Sequence, residues 1–123
     1  MAQPGDGELK IQRADQGSAV VYQVSGEVDT LTSPELDRAL AGIYDSTQPV
    51  SSVVLDLTNV PFLSSAGLSI LVDHHGRCAR AGITLSVVAA QRATLRAIQI
   101  TALDRIIPLH GTVEEALAAV EAN

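Results

Sequence analysis

The sequence predicts an α/β fold, a mixed and mostly parallel β-sheet with an N-terminal hairpin and about four helices. Three observations carry this. Two strand-like runs flank a turn near the start of the chain, short continuous apolar runs then alternate with segments of helical spacing, and each such segment carries cap or breaker residues at its ends. At 123 residues with 46% hydrophobic content, the chain has the size of one domain with a real core.

Residues 1–7 contain Gly and Pro among polar residues and read as a flexible tail, leaving 8–121 as a single domain. Residues 9–13 and 18–25 read as two strands around Asp15-Gln16-Gly17. After Gly26-Glu27-Val28-Asp29, Ser33 is placed to cap a helix with Pro34 at its first position, and Leu36, Ala39, Leu40, Ile43 and Tyr44 follow at helical spacing. Residues 52–57 form a short apolar run, the pattern of a strand buried on both faces. Leu68, Leu71, Val72, His75 and Ala79 mark the buried stripe of a second helix, with Asp73, Arg77 and Arg80 elsewhere and Ala81-Gly82 closing it. Residues 83–88 read as a strand, 91–100 as a helix and 106–109 as a short strand. Val113, Ala116, Leu117 and Val120 line a last helix that Thr112 caps, with Glu114 and Glu115 in its first turn favouring the dipole. Right-handed crossovers join the strands after the hairpin.

Composition narrows the function. Eight basic against fourteen acidic side chains give a net charge of −6, which repels phosphate backbones and anionic lipid and suits a protein partner of basic or mixed charge. Phe62, Tyr22 and Tyr44 are the only aromatic residues, so no platform for stacked bases exists. The longest charge-free apolar stretch, 57–72, is interrupted by Asn59, Pro61 and serines and is too short to span a bilayer. Cys78 is a lone cysteine and the N-terminus carries no signal-peptide pattern, which together place the protein in the cytoplasm. A single lysine, Lys10, against seven arginines and many alanines points to a GC-rich bacterial genome.

Chemistry concentrates where residues 56–68 run from an apolar strand into Ser64 and Ser65 at the start of the second helix. A serine hydroxyl there lies beside unpaired backbone N–H groups and the positive end of the helix dipole, so the pair reads either as a plain N-cap or as an acceptor for an anionic modification. Catalysis is poorly served. His74 and His75 lie about 13 to 15 Å along the helix axis from Ser65, and the Gly-x-Ser-x-Gly elbow is missing. Adjacent His74 and His75 point about 100° apart on a helix, and with Cys78 they leave any metal set incomplete. His75 reads as a packing residue and Asp73 as a solvated carboxylate. Asp29 and Asp56 follow strands and are expected on the rim that holds Ser65. No phosphate-binding loop is present, and no metal or other cofactor is expected.

The run Asp56-Leu57-Thr58, Val60, Phe62-Leu63-Ser64-Ser65-Ala66-Gly67-Leu68 resembles the signature of bacterial anti-sigma factor antagonists of the STAS-domain family, and Gly26-Glu27-Val28-Asp29 resembles their other recurrent motif. The resemblance covers 8–121 and implies a STAS-like fold and a partner switch with no catalysis of its own. The unphosphorylated protein would bind an anti-sigma factor that is also a serine kinase, releasing a sigma factor for transcription, and phosphorylation would break the complex. The acceptor position, two residues before the signature glycine, falls on Ser65. Asp29, Thr30, Ser64, Ala66, Gly67 and Leu68 would share the partner surface. The commonest form, Asp-Ser-Ser-Gly, is changed to Ser64-Ser65-Ala66-Gly67, which makes Ser64 the secondary acceptor. A PP2C-type phosphatase would reverse the modification, and the free protein would be a monomer. The rival expectations are a STAS module in a stressosome or lipid-transporter assembly, and a small-molecule sensor.

Overall fold

The computed structural model describes residues 9–121, so the expected tail at 1–7 lies outside the described residues. Along the chain run β1 (Lys10–Gln16), β2 (Ala19–Ser25), α1 (Ser33–Ala41), β3 (Ser52–Asn59), α2 (Ser65–Arg80), β4 (Thr84–Val88), α3 (Arg92–Ile100), β5 (Leu109–His110) and α4 (Val113–Glu121). The five strands form one sheet in sequence order, with β1 antiparallel to β2 and the other neighbours parallel. This is the mixed, mostly parallel sheet with an N-terminal hairpin and four helices that the sequence predicts.

Strand alternation sorts side chains onto two unequal faces. Val20, Tyr22, Val24, Val53, Leu55, Leu57, Leu85 and Val87 point to the larger core, where Leu36 and Leu40 of α1, Leu71 and Cys78 of α2 and Ile98 of α3 pack on them. Val21, Val54 and Val88 point the other way and meet Ala116 of α4. β3 lies at the centre with Val53, Val54, Leu55 and Leu57 all at 0% exposure, and each such side chain contributes about 1.5–3 kcal/mol of burial.

Several boundaries differ from the sequence expectation. β1 runs on through Asp15 and Gln16, because the Arg13 guanidinium bonds the Asp15 carboxylate along the strand at 2.8 Å and Gln16 pairs with Ala19 across a Gly17-Ser18 turn. The cap of α1 is Thr32, not Ser33, so Ser33 is the first helical residue and Pro34 the second, one position later than expected and still in the first turn. β5 is confined to Leu109–His110. Residues 103–105 before it form a 3₁₀ turn entered through Ala102 at φ +60, and Pro108 has no N–H to give the ladder. The buried stripe of α2 is Gly67, Leu71, His74 and Cys78. It is His74, not His75, that faces inward, and Val72 is left 46% exposed.

Candidate functional site

The two sequence motifs meet in space. Gly26, at φ +115 in the region that favours glycine, turns the chain out of β2 so that Val28 runs beside Leu63 as an isolated parallel bridge. The Val28 N–H donates to the Phe62 carbonyl at 2.9 Å, and the Ser64 N–H donates to the Val28 carbonyl at 2.8 Å. The segment entering α2 is therefore fixed by the segment leaving β2.

Ser64 is the N-cap of α2. Its backbone is extended, its hydroxyl accepts from the Gly67 N–H at 3.3 Å, and its carbonyl accepts from the Leu68 N–H at 2.9 Å. Ser65 follows as the first helical residue and is exposed, and neither its hydroxyl nor the N–H groups of Ser65 and Ala66 have a hydrogen-bond partner among the described residues. Gly67 has a helical backbone, so its role is close approach. A Cβ there would stand 2.6 Å from Leu63 Cδ1 and 2.7 Å from Val28 Cγ1, both on buried side chains.

Asp29 lies in the loop beside this start. Its carboxylate accepts from the Thr32 N–H at 2.9 Å, the Leu31 N–H at 3.0 Å and the Thr32 hydroxyl at 3.2 Å, while the Asp29 N–H donates to Thr32 Oγ1 at 2.9 Å. The Thr32 N–H bond, then the Thr32 hydroxyl and Leu31 N–H, hold the Asp29 carboxyl below the usual carboxylate range. The acid is thus a brace for its own loop, which presents Thr30 and Leu31 to solvent, Leu31 at 79% exposure. A groove of about 350 Å³ is lined by Ser65 itself with Leu68, Ser69, Val72, Thr101 and Leu103. Sequence reasoning did not single out Leu31 and named Phe62 only as an aromatic residue and within the signature run; both are apolar residues in a polar or turn segment and remain exposed.

Asp56 does not join this rim. Strand alternation puts it on the opposite sheet face, where Thr58 donates to it through its N–H at 3.0 Å and its hydroxyl at 2.5 Å. His74, 1% exposed, is held between α1 and the turn after it. Its Nε2 is 2.6 Å from Asp37 Oδ1 and its Nδ1 is 2.9 Å from the Tyr44 hydroxyl. Burial, reinforced by Cys78 at 3.5 Å, pushes the Tyr44 phenol above its ordinary range. Burial also pushes the Cys78 thiol up, against smaller opposing effects of Tyr44 and Arg77, which marks an unreactive thiol. Among the described residues, Asp37, Asp73 and His74 bring ligand atoms within 4.8 Å of one another. Asp37 is already hydrogen-bonded to His74 and Asp73 lies 3.7 Å from Arg77, so these contacts account for the group.

With fold and site described, comparison with known proteins defines the class. The STAS domain family model matches residues 10–116, and the chain belongs to this family. It is 31% identical over 112 residues to the anti-sigma-F factor antagonist RsfB of Mycobacterium tuberculosis, covering 91% of this chain and 89% of that one. The crystal structure of an anti-sigma factor antagonist from Mycobacterium paratuberculosis superposes with a TM-score of 0.85 at 34% identity, covering 98% of this chain and 99% of that chain. The anti-sigma factor antagonist SpoIIAA in its unphosphorylated form gives a TM-score of 0.75 at 16% identity over 93% of this chain and 98% of that chain, a likeness of fold alone. No helix among the described residues is long and apolar enough to cross a membrane.

Proposed function

We propose that this protein is an anti-sigma factor antagonist, a cytoplasmic binding module without catalysis of its own whose affinity for its partner is set by the state of Ser65. The partner is an anti-sigma factor with serine kinase activity. When Ser65 is unmodified the partner is held and a sigma factor is free for transcription; phosphorylation ends the complex and a PP2C-type phosphatase restores it. The unit that does this is the single domain 8–121, monomeric when free. Relatives of near-full-length coverage that carry the antagonist name support the class.

The observation that carries the reading is the division of labour between the two serines. The Ser64 hydroxyl is engaged as the helix cap, supplying as a neutral group the capping that a carboxylate would give, whereas the Ser65 hydroxyl is exposed and unengaged. A phosphate on Ser65 adds a charge of about −1.5 to −2 beside the free N–H groups of Ser65 and Ala66 and the positive end of α2, so the fold tolerates it. The same charge lies in the apolar groove that Ser65 lines with Leu68 and Val72, where a partner packed on these side chains would have to desolvate it. The switch is therefore local, with little change in the domain itself. Incubation of the wild type, Ser65→Ala and Ser64→Ala with the kinase and ATP, followed by intact-mass measurement, tests this. One phosphate on the wild type and on Ser64→Ala, and none on Ser65→Ala, is the expected result; a phosphate retained by Ser65→Ala overturns the assignment.

A further inference from the structure

The sheet face opposite Ser65 is covered by α4 alone among the described helices, and its two halves are held differently. The first half sits on branched aliphatics, Ala116 against Val21, Val54 and Val88, with Val113 and Leu117 at the margin. The second half passes over Thr84, Ser86, Pro108 and His110, where Ala116, Ala119 and Val120 of α4 line a gap of about 50 Å³. Register places Ser52 of β3 opposite Thr84 and Ser86 of β4 opposite Val54, so both serines share the α4 face. Ser52 is 0% exposed and Ser86 2% exposed, and neither hydroxyl has a hydrogen-bond partner among the described residues. A buried hydroxyl without a partner favours any state in which water reaches it. α4 is nine residues long, too short to hold its hydrogen bonds without the sheet, so a half that leaves the sheet exposes its amides while the first turn stays anchored. Thr112 Oγ1 caps it by accepting from the Glu115 N–H at 3.1 Å, Glu114 and Glu115 complement its dipole, and Ala and Leu fill its body.

We propose that α4 is a hinged latch, whose C-terminal half lifts from the hydroxyl floor of Ser52, Thr84 and Ser86 while Val113, Ala116 and Leu117 keep its first half docked. The motion belongs to the face away from Ser65, so it is a conformational device independent of the serine switch. Its mechanism is the hydration of the two serines on opening, offset by the small apolar contact of Ala119 and Val120. Simple fraying of a terminal helix would be indifferent to the side chains beneath it; a latch is not.

Hydrogen exchange followed by mass spectrometry on the full chain separates the two. In the wild type, amides of the second half of α4 are expected to exchange at least 100-fold faster than those of β3. Ser52→Ala and Ser86→Ala, each removing one hydroxyl from the floor, are each expected to slow that α4 exchange about fivefold. Equal exchange in α4 and β3 of the wild type, a comparison that needs no variant to fold, would show that α4 opens only with the whole domain and overturn the latch. Fast α4 exchange that neither serine substitution slows would reduce it to fraying and overturn it equally.

Discussion

Gly67 and Gly76 lie on the same helix and offer a controlled test of why the signature glycine is there. Replacing a helical glycine by alanine stabilises by about 1 kcal/mol through backbone propensity, less in the first turn than in the interior. At Gly76 the added methyl meets only Arg80 Nη1 at 3.5 Å, an ordinary contact with the end of a flexible side chain, so Gly76→Ala should stabilise by nearly the full amount. At Gly67 the methyl would stand 2.6 Å from Leu63 Cδ1 and 2.7 Å from Val28 Cγ1, and contact at an ordinary 3.5 Å requires α2 or these buried side chains to move by nearly an ångström. Overpacking of this kind costs about 1–3 kcal/mol. Gly67→Ala should therefore be less stable than Gly76→Ala by about 1–3 kcal/mol, a difference from which most of the propensity term has cancelled. Urea denaturation of the two variants and the wild type measures it directly. Equal stabilisation by both substitutions would refute the close approach of α2 to Val28 and Leu63.

The two serines should separate in the same assay. Ser64→Ala removes the cap on the Gly67 N–H and should cost about 1 kcal/mol, whereas Ser65→Ala should stay within about 0.5 kcal/mol of wild type. In alkaline titration followed by phenolate absorbance, Tyr44 should keep its proton above the ordinary tyrosine value of about 10, because burial and Cys78 raise it. The unfolded chain ionises at that ordinary value while the folded one does not, so this contribution to stability is whole below about pH 10 and falls as pH rises beyond it. Tyr44→Phe should flatten that fall. Cys78 should resist alkylation at neutral pH in the folded protein and react once urea exposes it.

Much of this was legible in the residues because each element carried its own signal. The unbroken run at 52–57 announced the central strand, Thr112 with Glu114 and Glu115 announced α4, and the alternation of β and α runs announced the parallel sheet. Where the chain misled, the deciding partner lay far away in sequence. The inward position of His74 depends on Asp37 and Tyr44, more than 29 residues off, which satisfy both ring nitrogens and allow a polar residue to displace Val72 from the buried stripe. Local apolar periodicity has no access to such a pair. Asp56 was expected on the Ser65 rim because it follows apolar residues near a strand end, but β3 runs on to Asn59 and the pleat turns Asp56 to the α4 side. At the candidate site, the serine pair and glycine were readable from spacing. That Val28 and Leu63 stitch the two motifs together emerges only from the parallel bridge.

Affinity of the proposed partner, an anti-sigma factor with serine kinase activity, for the unphosphorylated and the stoichiometrically phosphorylated protein, compared by calorimetry with the fold of both forms checked by NMR, tests the central claim most directly. Switching at Ser65 predicts tight binding of the first form, loss of at least about 100-fold in the second as a dianion is desolvated at the groove rim, and near-identical spectra away from the start of α2. Equal affinity of the two forms would contradict it.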